Sequence, residues 1–258
     1  MEKRYAIFAI VSFMSLYHSV FAKAVDHRNL EENLPLAVED AYPVEFRSVE
    51  LQGRFSYGLF GNNDDQFLLE PRVEAGILKN SQFTIKVPIV FGDDGALEGS
   101  GNIGVGALYN FNVETNLIPA FSLSVQEELP SGKDTGAFET TIKGIITKGF
   151  NNHRFNFNGS YINVANEDKN ERNDLYFFGI GYDYPISIDA IFLADFFTMR
   201  AKDKGVDNLY VGEVGIRYAI NPWSVLSLGV GTGFGSSDEA AEFSVTIGYQ
   251  TNRLPLPF

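Results

Sequence analysis

The sequence predicts an all-β protein, a closed antiparallel barrel of about twelve strands that crosses an outer membrane. Three observations predict it. From about residue 47 onward, apolar and polar side chains alternate in runs of about ten residues, the length a tilted membrane strand needs. The connections between runs switch regularly between short and long. The chain also opens with the features of an export signal.

Alternation is the primary signal. Successive side chains on a strand point to opposite faces, so a period of two writes one apolar wall and one polar wall. Phe243, Val245, Ile247 and Tyr249, interleaved with Ser244, Thr246, Gly248 and Gln250, show it most clearly. The outward sets begin with Val49-Leu51-Phe55-Tyr57, Leu69-Val73-Ala75-Ile77 and Phe83-Ile85-Val87-Ile89-Phe91. Ile103-Val105-Ala107-Tyr109-Phe111, Phe121-Leu123-Val125, Phe138-Thr140-Ile142-Ile146 and Phe155-Phe157-Tyr161 follow. The last are Tyr176-Phe178-Ile180-Tyr182, Phe192-Ala194-Phe196, Tyr210-Val214-Ile216-Tyr218, Leu226-Leu228-Val230 and the Phe243 series, placed on Glu242 to Thr251 with a short tail beyond. The Phe192 strand breaks the rule, because both of its faces are apolar. Aromatic residues gather near segment ends, as interfacial girdles require.

The connections follow the outer-membrane rule of short periplasmic turns and long external loops. Tight turns fall around Lys79-Asn80, Val113 to Asn116, Asn151-Asn152, Pro185 and Asn221-Pro222. Longer, mostly acidic loops run over Asn62 to Asp65, Gly92 to Ser100, Ser131 to Gly136, Asn166 to Asp174, Lys202 to Asn208 and Gly235 to Ala240. Two prolines, Pro71 and Pro88, fall inside strands and call for bulges or rim positions.

Residues 1–22 read as a secretory signal: Lys3 and Arg4, an apolar run from Tyr5 to Leu16, then small residues. Cleavage fits Val20-Phe21-Ala22 or Ala22-Lys23-Ala24. Residues 23–46 are acidic, with Pro35 and Pro43, and read as an irregular periplasmic lead-in or as a plug folded into the lumen. Residues 47–258 form the barrel.

Composition excludes several functions. With no cysteine there is no disulfide framework and no thiolate metal site, and a net charge of −13 argues against nucleic acid. Gly99-Ser100-Gly101-Asn102-Ile103-Gly104 matches a dinucleotide-binding spacing. It enters an alternating strand rather than a helix, so the glycines read as places where the wall bends. Gly132-Lys133-Asp134 lacks the rest of a P-loop. His153 falls at a short turn, away from the outer rim, and reads as a surface histidine. No catalytic residue, cofactor or metal site is expected; Asp93-Asp94 and similar loop clusters read as solvated charge.

The inward phase carries the candidate site. Arg54, Glu70, Arg72, Glu74 and Lys86 cluster on the first three strands, and Glu128, Lys143, Arg154, Asp183, Glu213 and Arg217 continue round the wall. Arg or Lys facing lipid at mid-height would cost about 2–4 kcal/mol, which makes the phase testable. A mixed-sign lumen suits either a water-filled passage that selects solutes or ion pairs that close and stiffen the barrel.

Glu39-Asp40-Ala41-Tyr42-Pro43-Val44, the run from Gly99 to Gly106 and Leu129-Pro130-Ser131-Gly132-Lys133-Asp134 occur in that order. In this the chain resembles the outer-membrane family labelled "MetA-pathway of phenol degradation", whose members are often called transporters. Asn102 stands where that family usually has Asp, and Ser131 where it often has Thr. The resemblance implies a barrel and passage of small solutes, aromatic or hydrophobic compounds among them, and carries over no catalytic residue. The expected partners are outer-membrane lipids, small solutes and the barrel-assembly machinery. The alternative function is a closed structural or surface-interaction barrel acting through its acidic loops.

Overall fold

The structure is a computed structural model. It describes residues 27–61, 65–92, 99–132, 138–165, 170–235 and 239–255. The expected signal peptide, Asp93-Asp94 and parts of the long loops lie outside these residues.

The strands are β1 (Ser48–Leu59), β2 (Asp65–Ala75), β3 (Ser81–Lys86), β4 (Ile89–Gly92), β5 (Gly99–Ser100), β6 (Ile103–Asn112) and β7 (Ala120–Leu129). They continue as β8 (Phe138–Phe150), β9 (His153–Ala165), β10 (Asp174–Pro185), β11 (Ala190–Met199), β12 (Leu209–Asn221), β13 (Ser224–Phe234) and β14 (Phe243–Pro255). Each pairs antiparallel with its neighbour, and β1 bonds to both β2 and β14, so the sheet closes without an edge. The pairs β3/β4 and β5/β6 are each one stave in two pieces, which leaves a barrel of twelve staves.

The breaks have a covalent cause. β2 pairs with β3 through Arg72↔Lys86 and with β4 through Leu69↔Ile89. The gap therefore sets Glu70-Pro71 against Val87-Pro88, and the two prolines, which lack an N–H, share one interruption. This corrects the expectation of an unbroken strand from Phe83 to Phe91. Gly101 then donates its N–H to Pro88 O at 2.8 Å, and a Cβ at Gly101 would lie 2.9 Å from Pro88 Cγ. The glycine-rich motif is a bend in the wall. The last strand also differs from expectation: it runs on to Pro255, paired with Ser48 across a bulge at Val49/Glu50.

The outward phase is apolar and open to the surroundings, for instance Phe55, Ile85, Phe178, Ile180, Ile216 and Ile247. Lys148 and Glu127, the charges in this phase on β8 and β7, sit near opposite rims, paired with Glu114 and Thr140. Asn80 and Asn151 take left-handed φ of 60° and 56° in the short turns, a conformation asparagine tolerates.

Residues 29–44 run across the interior at the short-turn end. They reach β1 through Arg47, whose N–H bonds to Gly76 O. At Gly76 a Cβ would lie 2.2 Å from Glu45 O, so only glycine admits this corner.

Candidate functional site

The site is the barrel interior and the segment that fills it. Within that segment Leu34 N–H bonds to Glu31 O and Asp40 N–H to Leu30 O, each at 3.1 Å, but with no continuous strand or helix, further backbone groups must find lumen side chains. They do so in sequence. The N–H groups of Ala37, Val38, Glu39, Ala41 and Val44 donate to Glu213 Oε2, Asp195 Oδ2, Asn158 Oδ1, Thr147 Oγ1 and Gln82 Oε1 at 2.8–3.0 Å. In return, Asn158 and Asn110 donate to the carbonyls of Glu39 and Ala41, and Arg217 and Arg72 to those of Leu34 and Glu32.

All eleven candidate residues take the inward phase. Arg72 bridges Glu70 at 2.8 Å and Glu74 at 3.6 Å. Lys86 holds Glu128 at 3.0 Å; a Cβ at Gly104 would lie 2.4 Å from its side chain, so this glycine makes the room. Arg54 lies opposite Glu70 in register and donates to Ser56 at 2.8 Å. Lys143 is shared by two plug carboxylates, Glu32 and Glu39, the latter at 2.7 Å. Arg154 joins Asp183 at 2.6 Å to Asp40 of the plug at 3.1 Å. Arg217 also donates to Gln250. Glu213 neighbours Asp195 across β11 and β12.

The plug's own carboxyls respond to this setting. Burial pushes Asp40 up to about 6, with Arg154 and the N–H groups of Leu30 and Tyr42 offsetting only part of the rise. Burial likewise raises Glu39 against the pull of Lys143. It also opposes ionisation of Glu32, but Lys143 and Lys86 outweigh it and hold that carboxyl well below the usual range. In the short turn after β6, burial pushes Glu114 up; hydrogen bonds from Lys148 and Gly149 N–H more than reverse this and keep it low.

The other side of the plug is apolar. Leu30 and Leu36 pack on Ile191 and Leu193 of β11, and Ala41 packs on Leu108, Ala120 and Ile145. Glycines leave the barrel wall bare where residues 34–38 lie. A Cβ at Gly181 would fall 2.9 Å from Val38, at Gly229 3.0 Å from Leu36, and at Gly248 2.6 Å from Leu34. Two cavities beside the plug measure about 10 Å³ and about 20 Å³, room for roughly one water each.

The candidate set omitted Asp195 and the neutral polar residues Asn110, Asn156, Asn158, Gln82 and Gln250. Each stands in the inward phase of its strand, so phase was the signal that could have found them. Asp195 was hidden by the apolar residues on both sides of it.

Fold and interior together define an outer-membrane-type β-barrel of twelve staves. An outer membrane channel from Pseudomonas putida F1 has the same fold, with a TM-score of 0.68 over 83% of this chain and 98% of that one at 10% identity. The NanC porin follows at 0.56, covering 80% of this chain and 100% of that one at 11% identity. The KdgM porin gives 0.52 over 78% and 98% at 13% identity. At these identities the likeness is one of fold. No protein-family model matches the chain, and no curated protein does.

Proposed function

We propose that the protein is a channel in the outer membrane of a Gram-negative bacterium, passing small solutes passively, and that residues 29–44 hold it closed in the state described here. The observation that carries this reading is the character of the plug's attachment. Inside a sealed wall, a separate irregular segment is held through side chains that water could equally well satisfy. Such contacts exchange for hydration when the segment leaves. With the plug withdrawn, Arg54, Glu70, Arg72, Glu74, Lys86 and Glu128 would line one side of the passage, and Lys143, Arg154, Asp183, Glu213 and Arg217 the other. Export by a signal at residues 1–22 and insertion by the assembly machinery complete the proposal. Aromatic cargo rests on the sequence resemblance to the phenol-degradation family.

A second reading is a permanently closed barrel acting through its loops. It is favoured by the external loops, where Glu239 accepts the N–H groups of Lys202 and Asp203, and Arg172 bonds to Ala201 O. Planar-bilayer recordings separate the two. The chain lacking residues 27–44, checked for heat-modifiable migration, should show steps that the full mature chain shows rarely. Silence from both, with liposomes that do not swell in any small solute, overturns the channel.

A further inference from the structure

Three buried carboxylates meet where the plug crosses β1 and β2. Glu50 and Glu74 face each other in register on the two strands, and Glu31 comes from the plug. One oxygen from each lies within 4.8 Å of the others, and the residues are 5%, 1% and 3% exposed. Two guanidiniums stand near: Arg72 reaches Glu74 at 3.6 Å, though its tighter contact is with Glu70, and Arg217 is attracted to Glu31 and Glu50, so three carboxylates still outnumber the cations beside them. Like charges so close in a dry interior require either protons or a cation between them.

Two amides decide which. Gln52 turns its N–H onto Glu74 at 2.8 Å, and Asn29 turns its N–H onto Glu31 at 2.9 Å. Their carbonyl oxygens, Gln52 Oε1 and Asn29 Oδ1, are buried and have no hydrogen-bond partner. Shared protons would settle the carboxylates and leave both oxygens bare. A hard cation takes carboxylate and amide oxygens alike. A calcium ion about 2.4 Å from each oxygen spans ligands up to about 4.8 Å apart, as these are; a dry set of protein oxygens also suits calcium better than magnesium, which dehydrates reluctantly.

We propose that Glu31, Glu50 and Glu74, with the amide oxygens of Gln52 and Asn29, bind a divalent cation of the calcium class that ties the plug to the wall. Because two ligands, Glu31 and Asn29, belong to the plug, the ion stabilises the docked state; its role in gating rests on the channel reading above, its binding does not. The test is calcium binding by the full mature chain, stripped with EDTA, refolded in detergent and titrated by calorimetry or equilibrium dialysis. One calcium per chain is expected. Glu31→Gln and Glu50→Gln should each weaken binding at least tenfold, and Gln52→Ala severalfold. Glu31→Gln leaves the wall untouched, so it remains informative if a wall variant fails to fold. A heat-modifiable barrel that takes up no stoichiometric calcium, or one whose affinity is unchanged by Glu31→Gln, overturns the site. Calcium binding without conductance would sink the channel and leave the site standing.

Discussion

Replacing Lys143 with methionine removes the ammonium that Glu32 and Glu39 share while keeping most of the side-chain volume. Lys143 is 2% exposed, and it reaches Glu39 at 2.7 Å. Breaking a buried pair by deleting one partner costs about 3–5 kcal/mol, because the remaining charge stays desolvated. The Glu32 side chain keeps 23% exposure, which argues for the lower end. At about 1.4 kcal/mol per tenfold, a loss of about 3 kcal/mol lowers the docked-to-undocked ratio roughly a hundredfold. The chain has no cysteine, so Val38→Cys provides a single reporter, at a position 4% exposed when docked. Its modification by a maleimide polymer should rise about a hundredfold in Lys143→Met, provided docking exchanges faster than labelling. Equal labelling with and without Lys143, in barrels of normal gel migration, would refute the claim that this ion pair clamps the plug.

Gly248→Val should displace the plug by overpacking, at about 1–3 kcal/mol, since even a Cβ there would lie 2.6 Å from Leu34; the Val38→Cys reporter reads it. Gly53→Ala on the neighbouring strand meets nothing within 4 Å and should leave labelling unchanged. Docking should also weaken as pH rises. Asp40 moves from its ordinary 3.8 to about 6 when docked, so the docked plug holds the proton more tightly, and docking loses stability from about pH 4 to about pH 6 and is level above that. Arg154, Asp183, Arg217 and Glu31 are among the charged groups that face Asp40. Burial raises Glu39 and Glu31 as well, which acts in the same direction; Glu32, lowered, acts oppositely but only below its ordinary 4.5. Labelling in EDTA, normalised to unfolded chain, should therefore be faster at pH 7 than at pH 5, and Asp40→Asn should flatten the profile.

The wall was legible because its pattern is local: a period of two reports which face meets lipid, whatever lies inside. The interior was legible only in part. Ile191 and Leu193 blurred the alternation of β11 because they meet Leu30 and Leu36, an apolar contact that no residue near them in sequence announces. The plug itself carries no period. Its N–H groups find partners up to 176 residues away, and its acidic composition reads equally well as a solvated tail. Nothing in residues 29–44 distinguishes carboxylates bound for water from carboxylates bound for Lys143 and Arg154. The strand break was half visible, since Pro71 and Pro88 stood out singly, while their sharing one gap depends on register.

The two sides of the plug differ in what they contribute to holding it. On the charged side, attraction between Lys143 and its carboxylates is largely offset by the water each group gives up. On the apolar side, Leu30, Leu34, Leu36 and Val38 gain by leaving water, with little opposing term beyond ordering of the chain. The apolar strip therefore supplies most of the docking free energy, and the charges fix where the segment sits. A combined variant tests this division. Lys143→Met with Glu32→Gln and Glu39→Gln removes the whole ion cluster and leaves no stranded charge, so Val38→Cys should be nearly as protected as with the native cluster. Leu34→Ala or Leu36→Ala, which keeps every charge, should expose the reporter strongly, at about 2–5 kcal/mol per truncation. If the triple variant labels as fast as Lys143→Met alone, the charges themselves hold the plug, and the apolar strip is only its lining.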